Sequence, residues 1–117
     1  MPPSRWRRPR SFRLPPGSAR IAGVQVVGFI WIEEILDKLL RKHGVREEEV
    51  VEVFEGKPKF QFVEKGHRED EHVYSAMGQT DAGRYVIVFF VHKSDGRALP
   101  VSARDMTVAE RKRYERK

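Results

Sequence analysis

The most continuous apolar stretch of the chain, Tyr85 to Val91, contains only β-branched and aromatic residues. This composition is typical of a strand that is covered on both faces, and it predicts the centre of a sheet. Asp95-Gly96 follows and supplies the left-handed backbone position that tight hairpins need, so the chain should double back antiparallel. The returning strand, Ala98 to Ala103, contains Pro100, which cannot donate a ladder hydrogen bond. We therefore expect this strand to lie at an edge of the sheet or to carry a bulge.

Three segments have the spacing or the end signals of helices. The clearest runs from Ile32 to Gly44, where apolar residues recur three and four positions apart and the glycine supplies the C-terminal stop. A second helix is predicted from about Glu47 to Glu55, because acidic residues in its first turn suit the helix dipole. A third should run from Val108 to about Glu115, after a capping box that begins at Thr107.

The remaining segments predict shorter strands. They are Val24 to Trp31, interrupted by Gly28, then Lys59 to Glu64 and Val73 to Gln79. The element order becomes β-α-α-β-β-β-β-α. This order predicts an α+β fold, in which a mostly antiparallel sheet of four to five strands is packed by two N-terminal helices and one C-terminal helix.

The composition is that of one small domain without disulfides. The chain has 117 residues and no cysteine, which excludes thiolate chemistry and favours a reducing, cytoplasmic location. The net charge of +6 would suggest a polyanionic partner, but six arginines and no acidic residue stand among the first twenty positions. The rest of the chain is formally neutral, so any argument for nucleic-acid binding must depend on how its charges are arranged.

The first residues differ in character from the rest. Residues 1–22 are rich in arginine and proline and poor in apolar side chains, and we expect a disordered arm followed by a single domain over residues 23–117. The arm either binds RNA or DNA through phosphates or is a dispensable extension. Arg7-Arg8 suggests an export signal, but no cleavage site follows, and the apolar stretch from Ile21 to Ile32 is too short to cross a membrane.

One loop contains side chains of the types that bind metals, without a known ligand spacing. A solvated turn is the favoured interpretation, and we expect no metal site there. The residues concerned are His67, Asp70, Glu71 and His72.

Several short motifs occur together in one order and with one spacing. They are Phe29-x-Trp31, Lys42-His43-Gly44-Val45, Val53-Phe54, Val101-Ser102-Ala103-Arg104 and Glu110-Arg111-x-x-Tyr114. In this combination the chain resembles the BrnT family of bacterial toxins, which belongs to type II toxin–antitoxin systems and has a RelE-like ribonuclease fold. The resemblance covers about residue 28 to the C-terminus and excludes the arginine-rich arm.

The resemblance implies a stress-response toxin that cleaves RNA without a metal ion or other cofactor and so suppresses translation. It also implies a ribbon-helix-helix antitoxin, which neutralises the toxin and alone contacts operator DNA, and it implies no membrane partner. Four positions depart from the family pattern: Ile32 replaces an acid, Leu39 an asparagine, and His72 and Leu99 arginines. A second reading is therefore a catalytically weak or inactive relative that serves as a protein-binding module.

Metal-free RNA cleavage requires groups that stabilise the extra charge of the phosphorane, and arginine forks match phosphate oxygens. Arg104 is the leading catalytic candidate, with Ser102 beside it and the N-terminus of the last helix close by. The alternative is that Arg104 pairs with Glu110. Arg97 is a further catalytic candidate. Lys93 and Arg97 should lie near the hairpin turn and Arg84 and Arg104 at the opposite end, so one site need not hold all four cations.

The other candidates come from helix ends. His43 could act as a general acid or base, a role typically worth about 10²- to 10⁴-fold, or could cap its helix. Lys42 could bind RNA together with Arg84 and Lys93, or could be a solvated cation. Tyr114 could stack on a base or dock the last helix on the sheet.

Overall fold

The structure, a computed structural model, describes residues 25–66 and 71–116. The predicted disordered arm at residues 1–22 lies outside the described residues, and so do His67 and Asp70 of the predicted loop. Among the described helices, none combines the length and the apolar character needed to cross a membrane.

The sheet contains five strands, β1 (Gly28–Phe29), β2 (Lys59–Glu64), β3 (His72–Gln79), β4 (Tyr85–His92) and β5 (Arg97–Asp105). Their spatial order is β1-β5-β4-β3-β2. β4 lies at its centre, as the apolar run from Tyr85 predicts. The pair β1–β5 is parallel and the other pairs are antiparallel, which confirms the predicted α+β fold with a mostly antiparallel sheet.

The strand that returns from the hairpin is not an edge strand, because β5 lies between β1 and β4. β1 pairs only with Arg97 and Ala98, so in the described part of the chain the rest of this side of β5 has no neighbouring strand. The alternative of a bulge is confirmed: the register shifts between Phe89 and Phe90, and Pro100 lies beside this shift. The missing donor of the proline is tolerated at an irregularity of this kind.

The helices follow the sequence with one exception. α2 (Glu47–Glu55) and α3 (Val108–Glu115) have the predicted bounds. The single helix predicted from Ile32 to Gly44 is instead a short α-helix, α1 (Glu33–Lys38), continued by a π-helical turn at Leu39–His43. Apolar spacing does not distinguish the wider turn from regular helix, whereas the stop at Gly44, with φ of 63°, is as predicted.

The two faces of the sheet are covered differently. On the face that we call the core face, Val86, Val88 and Phe90 of β4 are fully buried. They pack in one cluster with residues of α2, among them Phe54, whose ring centroid lies 5.2 Å from that of Phe90. We call the opposite face the α3 face, because Tyr85 contacts Tyr114 of α3 there, at 6.0 Å between ring centroids. α3 itself has no buried residue, so polar contacts do much to hold it in place.

Candidate functional site

The α3 face carries Ser102 and Arg104 near the end of β5. Residues two apart on a strand point to the same side, and the two side chains lie opposite Phe89 and Ile87 of β4. Ser102 is half-buried, and the Arg104 side chain is 34% exposed. The sequence therefore places a hydroxyl and a guanidinium side by side at the strand end that leads into α3.

Arg104 forms a bidentate ion pair with Glu110 at the start of α3. Its Nη1 and Nη2 donate to the two carboxylate oxygens at 2.8 and 3.0 Å. Glu110 is held there by the predicted capping box, since its carboxylate accepts from the Thr107 amide at 2.9 Å and its own amide donates to the Thr107 hydroxyl at 3.1 Å. The alternative that Arg104 pairs with Glu110 is therefore confirmed.

This pair is strongly biased towards its charged form. Hydrogen bonding from Arg104 lowers the pKa of Glu110 to about 2 against the opposing effect of burial, with a further contribution from the Thr107 amide. The same hydrogen bond raises the pKa of Arg104. At neutral pH the guanidinium and the carboxylate are both ionised, so the pair contributes little net charge to this end of the sheet.

The ion pair uses only part of the guanidinium. Arginine has five N–H donors in a fixed plane. Nη1 and Nη2 serve Glu110, and Nη1 also donates to the Asp105 carbonyl at 3.1 Å. Within the described residues, Nε–H and the second hydrogen of Nη2 have no hydrogen-bond partner. These two donors lie on the same edge of the guanidinium, which is the fork that binds two oxygens of one phosphate.

An aromatic ring supports this guanidinium. The Cζ atom of Arg104 lies 5.5 Å from the centroid of Phe89, its neighbour on the central strand. A cation over a ring face is attracted by the ring quadrupole, which helps to fix the guanidinium plane. Sequence reasoning missed this contact, although the hairpin turn at Asp95-Gly96 gives an approximate pairing of the two strands.

Arg84, which is predicted to bind RNA, is engaged by partners within the protein. Its guanidinium donates to the carbonyls of His43 and Gly44 at 2.9 and 2.8 Å, and to the carboxylate of Asp105 at 2.6 Å. It also pairs with Glu49 of α2 at 3.1 Å. The side chain therefore joins the end of the π-helical turn, α2 and the end of β5, and few of its donors remain for a ligand.

Through Arg84 the structure brings His43 and Arg104 to the same end of the sheet. Asp105 is the shared neighbour, because its carboxylate accepts from Arg84 and its carbonyl from Arg104. The side chains of Lys42 and His43 are exposed at the end of the π-helical turn. An imidazole, an ammonium and a guanidinium thus border this end of the molecule.

Lys93 and Arg97 lie at the other end of the hairpin, as the turn geometry predicts. The Lys93 amide donates to the Arg97 carbonyl at 2.8 Å. Arg97 pairs with Asp95 at 2.8 Å and Lys93 with Glu71 at 3.0 Å. These two candidates therefore do not join Arg104 in one site.

Tyr114 is placed by the docking of α3. Its ring contacts Tyr85, and the Lys59 ammonium lies 5.8 Å from its centroid. Burial raises the pKa of Tyr114, so its hydroxyl stays protonated at neutral pH. Within residues 25–66 and 71–116, no group of three or more histidine and carboxylate side chains could hold a metal ion.

Comparisons with known proteins found a matching family model and a similar solved structure. The family described as "Ribonuclease toxin, BrnT, of type II toxin-antitoxin system" has a model that matches residues 31–110. Among solved structures, the chain is similar to the Brucella abortus ribonuclease toxin BrnT, with 17% identity and a TM-score of 0.48 over 70% of this chain and 99% of that chain. No curated protein matches the sequence.

Proposed function

The chain belongs to the BrnT family of ribonuclease toxins of type II toxin–antitoxin systems, and on this premise we propose that it cleaves RNA without a metal ion and thereby inhibits translation. Membership of the family implies an RNA substrate and an antitoxin partner. In this proposal the protein works in the cytoplasm as a single RelE-like domain over residues 23–117. A ribbon-helix-helix antitoxin neutralises it and supplies all contact with operator DNA.

The proposed reaction is attack of the ribose 2′-hydroxyl on the adjacent phosphorus. The O2′–P bond forms, the P–O5′ bond breaks, a base removes the proton from O2′ and an acid protonates O5′. The protein must hold these atoms in line and stabilise the charge that develops on the phosphoryl oxygens. The observation that carries the proposal is the donor edge of Arg104, which has no partner among the described residues and lies within the matched segment.

The other groups at this end of the sheet have supporting roles in the proposal. Ser102 lies beside Arg104 and can donate a hydrogen bond to a phosphate oxygen. His43 is the candidate for proton transfer, with Lys42 next to it as a phosphate contact. Arg84 is a positioning residue, because it fixes the backbone of His43 relative to Asp105 and Arg104.

The proposal is tested by incubating purified protein with RNA in excess chelator. We expect the wild type to cleave RNA under these conditions. Arg104→Ala should lower the cleavage rate by about 10²- to 10³-fold, which is typical for removal of one donor to a developing oxyanion. Arg97→Ala is the matched control, since it removes an arginine of the same strand that is also paired with one acid, but at the opposite end. Full activity in Arg104→Ala, with an unchanged circular-dichroism spectrum, would contradict the assignment.

A specific observation favours a second candidate function, that of a protein-binding module with little catalysis. Leu99 stands where the family resemblance implies an arginine, and it lies opposite Val91 on the α3 face. Val91 in turn pairs with Val73, so a row of three half-buried apolar residues crosses this face. Formation of a tight complex with the product of an adjacent ribbon-helix-helix gene, without RNA cleavage by the free protein, would favour this function.

The arginine-rich arm gives a third test. RNA affinity that disappears when residues 1–20 are removed would assign nucleic-acid binding to the arm. Cleavage that persists in the shortened protein would assign it to the domain.

A further inference from the structure

Four ring-bearing side chains lie together on the core face, where β2 forms the edge of the sheet. Phe62 pairs with Tyr74, and His72 pairs with His92, across neighbouring strands. The Phe62 ring centroid is 5.7 Å from that of Tyr74 and 5.8 Å from that of His72, and Tyr74 is 6.0 Å from His92. We call Phe62, His72, Tyr74 and His92 the ring cluster.

The ring cluster is fixed on one side and open on the other. Tyr74 packs against the core and stacks on the buried Phe90 at 6.0 Å between ring centroids. Phe62 is 53% exposed, whereas Phe60, two residues earlier on the same face, is 7% exposed. The covering elements therefore end between these two positions. The aromatic ring of Phe62 is left in contact with solvent on the edge strand β2.

Backbone hydrogen bonds determine which ring nitrogens carry protons. The Gly66 amide donates to Nδ1 of His72 at 3.2 Å, so the neutral ring carries its proton on Nε2. Nε2 of His92 lies 2.9 Å from the Gln25 carbonyl, which can only accept, so this ring is protonated on Nε2, and in its neutral form Nδ1 has a lone pair. Neither Nε2 of His72 nor Nδ1 of His92 has a hydrogen-bond partner among residues 25–66 and 71–116.

In their neutral forms, the two histidines thus offer one donor and one acceptor from directly opposed positions. Side chains at such positions start about 4.5–5.5 Å apart. The hydrogen-bonding edge of each nucleobase also combines a donor with an acceptor, and an unpaired base stacks readily on an aromatic ring. A purely apolar protein segment would use the phenylalanine but would leave both nitrogens unsatisfied.

We propose that the ring cluster binds an unpaired base of single-stranded RNA, which stacks on Phe62 and hydrogen-bonds to His72 and His92. The inference rests on the proposed function only in taking RNA as the ligand. The cluster lies on the opposite face of the sheet from Arg104, because the register places Tyr74 and His72 on the side of Phe90 and Arg104 on the side of Ile87. It is therefore a second contact with RNA and not part of the proposed cleavage site.

Fluorescence anisotropy with a labelled 2′-O-methyl oligoribonucleotide tests this inference. Such RNA keeps its bases but lacks the attacking hydroxyl, so binding is measured whether or not the protein cleaves RNA. Phe62→Ala and Phe62→Leu should weaken binding of the single strand by about 5- to 150-fold, the range expected for the loss of one stacked base. Phe62→Tyr should keep the affinity.

Val63→Ala is the matched control, because Val63 is the next residue of β2, is 42% exposed and lies at the register shift. It should bind like the wild type, and a duplex of the same sequence should bind without sensitivity to Phe62→Ala. Equal affinities of Phe62→Ala and Val63→Ala would overturn the inference. Retained affinity in Phe62→Leu would also overturn it, since that result would indicate a general apolar surface. If either of these results were found and the variants still cleaved RNA in chelator like the wild type, only the base-binding inference would fail and the proposed nuclease function would stand.

The histidines are tested through base preference. Stacking alone tolerates every base, whereas hydrogen bonds discriminate among them. His72→Phe keeps a ring and removes the donor, so it should reduce the differences in affinity among oligo(A), oligo(C) and oligo(U). Differences that are as large as in the wild type would contradict the role of His72.

Discussion

The ion pair between Arg104 and Glu110 should make the stability of the protein depend on pH in the acid range. We consider Glu110→Gln, which removes the charge of the carboxylate. Glutamine at this position can still accept a hydrogen bond from the Thr107 amide, so the capping box survives. The variant therefore isolates the contribution of the ion pair from that of the helix cap.

The size of the effect follows from the pKa of Glu110, which is lowered from 4.5 to about 2. A shift of this size corresponds to at most about 3–4 kcal/mol. Solvent screens the pair because Arg104 is one-third exposed, and we expect about 1–2 kcal/mol. Since the folded-state pKa is depressed, this stability is present above pH 4.5 and is lost as the pH falls towards 2.

Urea unfolding followed by circular dichroism measures the difference between wild type and Glu110→Gln. The variant should be less stable by about 1–2 kcal/mol at pH 7, and the two proteins should converge as the pH falls from 4.5 to 2. A difference of the same size at pH 2.5 and pH 7 would refute the reasoning, because an uncharged contact would then be responsible. Equal stabilities at pH 7 would refute it as well.

Two further substitutions test how the fold holds the site. Arg84→Ala should lower the free energy of unfolding in urea by about 2–4 kcal/mol, because it leaves the largely buried Glu49 carboxylate without this partner. A decrease below about 0.5 kcal/mol would show that the helices are held to the sheet without Arg84. Gly78→Ala should lower the free energy of unfolding by about 1–3 kcal/mol, because a Cβ atom there would lie 3.0 Å from Cγ1 of Val53. Gly56→Ala should lower it less, because the nearest atom to a Cβ there lies at 3.5 Å. Equal melting temperatures of the two alanine variants would contradict that account of the packing between β3 and α2.

Features that depend on neighbouring residues were predictable from the sequence. The Asp95-Gly96 turn, the capping box at Thr107 and the glycine stop at Gly44 are each set by a few adjacent side chains, and the structure contains all three. The apolar run from Tyr85 was enough to identify the central strand, because continuous burial excludes an edge position.

Features that depend on long-range pairing were not predictable. The inner position of β5 requires the short strand β1 to cross to its other side, and no local signal at Gly28 specifies this. The opposition of His72 and His92 depends on the register of β3 against β4, which a single sequence does not reveal. The pairing of Arg104 with Glu110 was one of two open alternatives, because the capping box places the acid near the strand end without deciding its partner.

In the proposed function, the 2′-hydroxyl of RNA attacks the neighbouring phosphate without a metal ion, and Arg104 stabilises the charge that develops. The most direct measurement is end-group analysis of RNA cut by the wild-type protein in excess chelator. We expect a 2′,3′-cyclic phosphate, or the 3′-phosphate formed from it, and a 5′-hydroxyl. A 2′-O-methyl group at the cleavage position should prevent the cut. Products with a 5′-phosphate, or cleavage next to a 2′-O-methyl group, would contradict the claim.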